Sequence, residues 1–195
     1  EQVQRLLPDE RIAVLTVPHN DAWLRDNGPT FVRDPDGRLA GVNWKFNAWG
    51  GKYAPWDLDD AVAPAVLEAY GIRRFDAPLV MEGGSFHTDG EGTVLTTEEC
   101  LLNPNRNPHL TREEIEGYLC GFLGAEKVIW LERGLAGDET DGHVDNVACF
   151  AAPGKVLMQV CSDPRDENYA ITQENLRRLR EARDARGRAI EVVPI

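Results

Sequence analysis

No apolar run in the 195 residues approaches the ~20 that a membrane helix needs. Cysteine is scarce, at 100, 120, 149 and 161, and no Cys-x-x-Cys pair occurs. That spacing argues against a zinc ribbon and reads as buried free thiols in a reducing, cytoplasmic compartment. The opening Glu1-Gln-Val-Gln-Arg5 lacks the basic-then-apolar order of a signal peptide, and the chain reads as starting mid-domain. Basic residues are few: 21 Lys and Arg against 33 acids give a formal charge of −12. Nucleic-acid binding needs clustered cations, so that class is excluded. A negative field suits a small cationic substrate, while solubility alone would explain the same charge. No His-Glu-x-x-His occurs. Glu82, His87, Asp89, His143 and Asp145 could supply nitrogen and oxygen ligands, but no two histidines are closely spaced, and the reading is of no metal.

What is present is a repeat. Trp23-Leu-Arg-Asp26-Asn-Gly-Pro29, Met81-Glu82-Gly-Gly84 and Gly142-His143-Val-Asp145-Asn146 each precede a strand, a Gly-containing turn, a second strand, a helix and a third strand. The turns are Asp34-Pro-Asp-Gly37, Asp89-Gly-Glu-Gly92 and Ala152-Pro-Gly-Lys155. Asp26, Glu82 and His143 recur at intervals of 56 and 61 residues. Ionisable groups at the head of repeating modules point to a ring of modules around one central site.

The first module, about 26–76, is predicted to hold strands at 29–34 and 38–46, a helix at 58–70 with Asp57 as N-cap, and a strand at 72–76. The second, about 80–131, has strands at 80–88 and 93–97 and an irregular stretch at 102–108. A helix follows from the capping-box spacing Thr111-Arg-Glu-Glu114, then a strand at 127–131. The third, about 142–195, has strands at 143–150 and 155–161, a helix at 166–184 ending in arginines, and a strand at 189–194. Arg11–Val17 reads as a buried strand left over from an earlier module. Three ββαβ units in a ring would have open edges, which further modules would close.

Each candidate group has a plain reading beside the functional one. His143 and Asp145 on one strand face form an acid–base unit or a structural hydrogen bond. Glu82 before Gly83-Gly84 fits a close backbone approach or an ordinary turn. Asp26 beside Trp23 suits a planar cation such as guanidinium, or a surface turn with a packing Trp. Trp44 reads as core; Trp49, beside two glycines, is the better ligand wall.

Asp21–Val32, Asn43–Tyr53, Met81–Gly90 and Glu139–Asn146 together resemble the agmatine deiminases and, more broadly, the guanidino-modifying enzymes, arginine and bacterial peptidylarginine deiminases among them. The resemblance covers nearly the whole chain. It implies a five-bladed α/β propeller of ββαβ modules, about three of them here. It implies hydrolysis of agmatine to N-carbamoylputrescine and ammonia without metal or cofactor. Asp26 and Asp145 would grip the guanidinium, with His143 as acid–base residue and Glu82 as its partner. Trp23, Trp49 and Glu139 would line the substrate site, with Glu139 and Asp141 drawing in an amine. The nucleophilic cysteine would belong to a Gly-rich motif that this chain does not contain. On a continuous strand Cys149 would stand ~20 Å from His143, too far to replace it. The chain is therefore expected to be an incomplete, inert deiminase. Another guanidine deiminase, or a non-catalytic guanidinium-binding module, are the rival readings, and a homo-oligomer is left open.

Overall fold

The computed structural model describes residues 2–7, 9 and 11–195. Among them, nine strands form three three-stranded sheets of one design. The first holds β1 (Thr30–Arg33), β2 (Leu39–Lys45) and β3 (Arg73–Val80). The second holds β4 (Phe86–Thr88), β5 (Thr93–Thr97) and β6 (Lys127–Leu131). The third holds β7 (Ala148–Ala152), β8 (Lys155–Met158) and β9 (Glu191–Pro194). In each, the first pair is an antiparallel hairpin and the second pair is parallel. A parallel return requires a crossover, and a helix supplies it each time. These are α4 (Asp57–Asp60) with α5 (Val62–Ala69), then α6 (Glu98–Leu101) with α7 (Arg112–Leu123), then α8 (Asn168–Glu181). For chain order, α1 is Gln2–Leu6, α2 is Leu24–Asn27 and α3 is Ala48–Gly51.

The elements with the clearest local signals form where the sequence places them. Thr111 caps α7 with its side chain on the Glu114 amide, while the Glu114 carboxylate returns to the Thr111 amide. Leu119 and Ile115 of that helix are fully buried with Leu79, Met81 and Leu101 in one core cluster. Trp44 belongs to the same cluster, and its indole donates to Thr30 Oγ1 at 2.9 Å. A second cluster joins β5 and β6 to β8 and α8 through Leu95, Leu131, Val156, Met158 and Leu179.

Four expectations change. Residues 11–17 form no strand, and Ile12, Val14 and Leu15 are exposed, because no neighbouring strand pairs with their backbone. The helix expected at 58–70 is two helices broken at Ala61, and Trp56, not Asp57, precedes the first turn without a side-chain cap. The strand expected at 80–88 is split, since β3 runs on to Val80, residues 83–85 make a 3₁₀ turn, and β4 starts at Phe86. The strand expected at 143–150 begins only at Ala148, after a 3₁₀ turn over Val144–Asn146. His143 and Asp145 therefore do not share a strand face, and the strand-based distance to Cys149 does not apply.

The second and third sheets are tied by polar clasps. Asn175 of α8 accepts from the Glu132 amide (2.8 Å) and donates to the Arg133 carbonyl (2.7 Å). Arg178 of α8 and Arg112 of α7 both donate to Glu98 Oε1 on α6. Burial alone would raise the Glu98 carboxyl, but hydrogen bonds from Arg178 and Arg112 outweigh it and hold it below its ordinary value. A carboxyl lowered by folding contributes stability that is present above its unfolded pKa and lost as pH falls through its folded one. Glu98→Gln is therefore expected to cost about 1–2 kcal/mol at neutral pH and to flatten the acid limb of the stability profile. Urea unfolding from pH 7 down to pH 3 checks both; an unchanged acid limb would show that Glu98 does not carry it.

Candidate active site

The segments that lead into the three sheets pack on one another: α2, the 83–85 turn and the 144–146 turn. Glycine permits this approach. A Cβ on Gly83 would collide with the Arg25 carbonyl oxygen. The Gly84 amide donates to Asp26 Oδ1 at 2.9 Å. A Cβ on Gly84 would come within 2.5 Å of His143 Nδ1, 2.8 Å of Asp145 Oδ2 and 3.0 Å of Asp26 Oδ1. Two parts of the chain thus bring three ionisable groups against the bare backbone of a third.

His143 has two different sides. Its Nδ1 lies 3.9 Å from Asp26 Oδ1 and 4.0 Å from Asp145 Oδ1, and its Nε2 lies 3.6 Å from Glu82 Oε2. His143, Asp26 and Glu82 are buried; Asp145 is partly exposed. Burial raises the Asp145 carboxyl above its ordinary range, against the lowering effects of His143 and Arg25, while Asp26 adds to the rise. Arg25 Nε stands 3.7 Å from Asp145 on an exposed side chain.

Asp26 is fixed at both oxygens, because Trp49 Nε1 donates to Oδ2 at 3.1 Å. Trp49 sits at φ 53°, ψ 44°, an uncommon left-handed conformation for a bulky residue. Trp23 meets it edge-on at 5.9 Å between ring centroids. These two rings, with Asp21, Asp26, Lys52, Tyr53, Glu139 and Thr140, line a cleft of about 440 Å³. The loop 20–22 at its rim is anchored by the buried Asp59, which accepts the Asn20 and Asp21 amides and the Tyr53 hydroxyl.

The acids before His143 do three different jobs. Asp138 accepts from the Thr140, Gly142 and His143 amides and so shapes the loop that delivers His143. Asp141 is paired with Lys52 (2.8 Å) and Arg106 (3.1 Å), so it is not the free amine attractor expected from sequence. Of the three, Glu139 alone lines the cleft.

Arg106 is the residue that sequence reasoning missed most plainly. It lies in the polar stretch 102–108, yet its side chain is wholly buried. Its Nε donates to Glu82 Oε1 at 2.7 Å, Nη1 to Asn105 and Asp141, and Nη2 to the Thr140 carbonyl. One signal was available: a buried carboxylate such as Glu82 requires a cation partner. Cys100 was also missed. It is fully buried, its Sγ 3.9 Å from Glu82 Oε2. Burial, with Glu82 beside it, pushes its thiol well above the ordinary range. Among the described residues, Glu82, Cys100 and His143 are the group whose ligand atoms lie within metal-binding reach. The other donors weighed from sequence are used elsewhere: His87 accepts the Phe150 amide and Asp89 holds its own hairpin turn.

Breaking a buried ion pair leaves an uncompensated charge, which costs about 3–5 kcal/mol. Arg106→Met is expected to lose that much stability, and adding Glu82→Gln is expected to restore part of it. Urea midpoints for both single variants and the double variant check the coupling. Additive losses would show that solvent, and not Arg106, satisfies Glu82.

The model of the Porphyromonas-type peptidyl-arginine deiminase family matches residues 1–195. The chain is 55% identical over 186 residues to the agmatine deiminase of Pseudomonas syringae pv. tomato, covering 93% of this chain and 50% of that protein. It superposes on the agmatine deiminase of Enterococcus faecalis with a TM-score of 0.92 at 46% identity, covering 100% of this chain and 55% of that one. A Cys-to-Ser variant of the C. jejuni agmatine deiminase with substrate bound gives a TM-score of 0.86 at 32% identity, with coverage of 100% and 58%. The chain spans about half the length of the relatives it matches. A family match over the whole chain, with half of all positions shared with its relatives, places this protein in the Porphyromonas-type peptidyl-arginine deiminase family.

Proposed function

We propose that the whole protein hydrolyses agmatine to N-carbamoylputrescine and ammonia. The observation that carries this reading is the convergence of Asp26, Asp145 and His143 Nδ1 at Gly84, with Glu82 behind the imidazole at Nε2. Two carboxylates facing one space form a receptor for a delocalised cation, and guanidinium presents parallel N–H donors to such a pair. Trp23 and Trp49 supply the aromatic wall beside it.

In this mechanism a cysteine thiolate from outside the chain attacks the guanidinium carbon. His143 gives a proton to the departing ammonia as the C–N bond breaks, leaving a covalent amidino-enzyme. Water then attacks, His143 takes its proton, and the thiolate leaves with the carbamoyl product released. Glu82, held by Arg106, keeps the imidazole oriented. None of the four cysteines present takes the nucleophile's role. Cys100 is near His143 but lies on the Glu82 side, with its thiol held protonated by burial. The three sheets, with their leading segments meeting at one place, are read as consecutive modules, about 26–76, 80–131 and 142–195, of a single five-module propeller domain. A cytoplasmic role in putrescine formation fits the substrate, and no helix among the described residues is long and apolar enough to cross a membrane.

Agmatine is favoured over a peptidylarginine substrate by the charge of the cleft. Asp21, Asp26 and Glu139 line it, and the one lysine there, Lys52, is engaged by Asp141. An amine tail is attracted to such walls and a carboxylate tail repelled. In a protein extended as its relatives are, kcat/KM is expected to rank agmatine above free arginine and an arginyl peptide. Glu139→Gln is expected to raise KM for agmatine roughly tenfold with kcat changed less than about twofold, the mark of lost uniform binding. A higher value for either arginine substrate would transfer the assignment to that substrate. Residues 1–195 alone are expected to release no ammonia from agmatine above the blank. Steady turnover abolished by Cys149→Ala would overturn the assignment of the nucleophile to another segment.

A further inference from the structure

Behind His143, on the side away from Asp26 and Asp145, three ligand atoms face each other. Glu82 Oε2 is 3.6 Å from His143 Nε2 and 3.9 Å from Cys100 Sγ, and one ligand atom from each of the three residues lies within 4.8 Å of the others. All three residues are buried. His143 Nε2 has no hydrogen-bond partner. A buried ring nitrogen that makes no hydrogen bond and lies beside a carboxylate and a thiol is available as a ligand.

We propose that Glu82, Cys100 and His143 form a buried binding site for a thiophilic divalent cation of the Zn²⁺ class. A tetrahedral ion with bonds of about 2.0–2.3 Å separates its ligands by roughly 3.3–3.8 Å. Two of the observed separations, 3.6 and 3.9 Å, are within a few tenths of an ångström of that. Arg106 takes Glu82 Oε1 and leaves Oε2 turned inward as a single-oxygen ligand. A nitrogen, a sulfur and one oxygen are a donor set that favours zinc over magnesium or calcium, which prefer oxygen alone. On binding, the Cys100 S–H proton leaves to solvent; thiolate and carboxylate then set two negative charges against the ion and Arg106, leaving one positive charge that faces Asp141 on the other side of Arg106. Three protein ligands leave one position for water.

The site is separate from the guanidinium space, which uses the Nδ1 side. Occupancy would nevertheless tie up the imidazole at Nε2 and detach it from Glu82. An inhibitory effect therefore rests on the function proposed above, but metal binding does not.

The test uses Co²⁺ as a spectroscopic probe, with Zn²⁺ as competitor, on the purified chain. One Co²⁺ per chain is expected, with a thiolate-to-cobalt charge-transfer band that one equivalent of Zn²⁺ removes. Cys100→Ala is expected to abolish the band and weaken uptake at least tenfold, while Cys149→Ala and Cys161→Ala leave both unchanged. His143→Gln, which keeps the thiol, is expected to retain the band but weaken uptake about tenfold. A band that persists in Cys100→Ala, uptake unaffected by His143→Gln, or no stoichiometric uptake by the wild type would each overturn the proposal. None of these readings needs turnover, so failure here leaves the deiminase reading intact.

Discussion

The site depends on one buried ion pair. Glu82 and Arg106 are both withdrawn from water at 2.7 Å from each other. Two desolvated charges cost about as much as their attraction returns, so the pair is not a large source of net stability. What it supplies is position. Arg106 reaches Glu82 at the head of the second sheet and Asp141 and the Thr140 carbonyl ahead of the third. The guanidinium is planar and its donors are fixed in a fork, so it sets the distance between those two segments as a rigid spacer. His143 follows two residues after Asp141. Its distance from Glu82 is thus set by a side chain that belongs to neither.

Much of the fold was legible in short-range signals. β5 and β6 match the expected 93–97 and 127–131, and the capping box at Thr111 starts α7, because alternation, caps and turns act over a few residues. The failures occurred where a distant partner decides the conformation. Arg11–Val17 has strand composition, but a strand needs a neighbour. The 143–150 segment has strand composition too, yet Asp138 gathers the amides of Thr140, Gly142 and His143 and turns its start into a loop.

The candidate site was legible through its carboxylates, His143 and tryptophans, which the resemblance brought together. Its support was not. Arg106 sits between asparagines and prolines in a stretch that reads as solvent-facing turn, and no local pattern marks it as buried. Cys100 looked like any free thiol, because its nearness to Glu82 and His143 arises only in the fold, where α6 carries it to 3.9 Å from Glu82 Oε2. Asp141 was misjudged for the converse reason. Sequence counts a charge, whereas the fold decides what neutralises it, and here Lys52 and Arg106 do.

The meeting of the leading segments leaves no room for a side chain at position 84. His143, Asp145 and Asp26 come up against the bare α-carbon of Gly84. A main chain has no rotamers, so a crowded contact there cannot be relieved by a side chain turning aside. The spacing of the three groups is thereby set by the backbone of the 83–85 turn, and its tolerance is less than one methyl group.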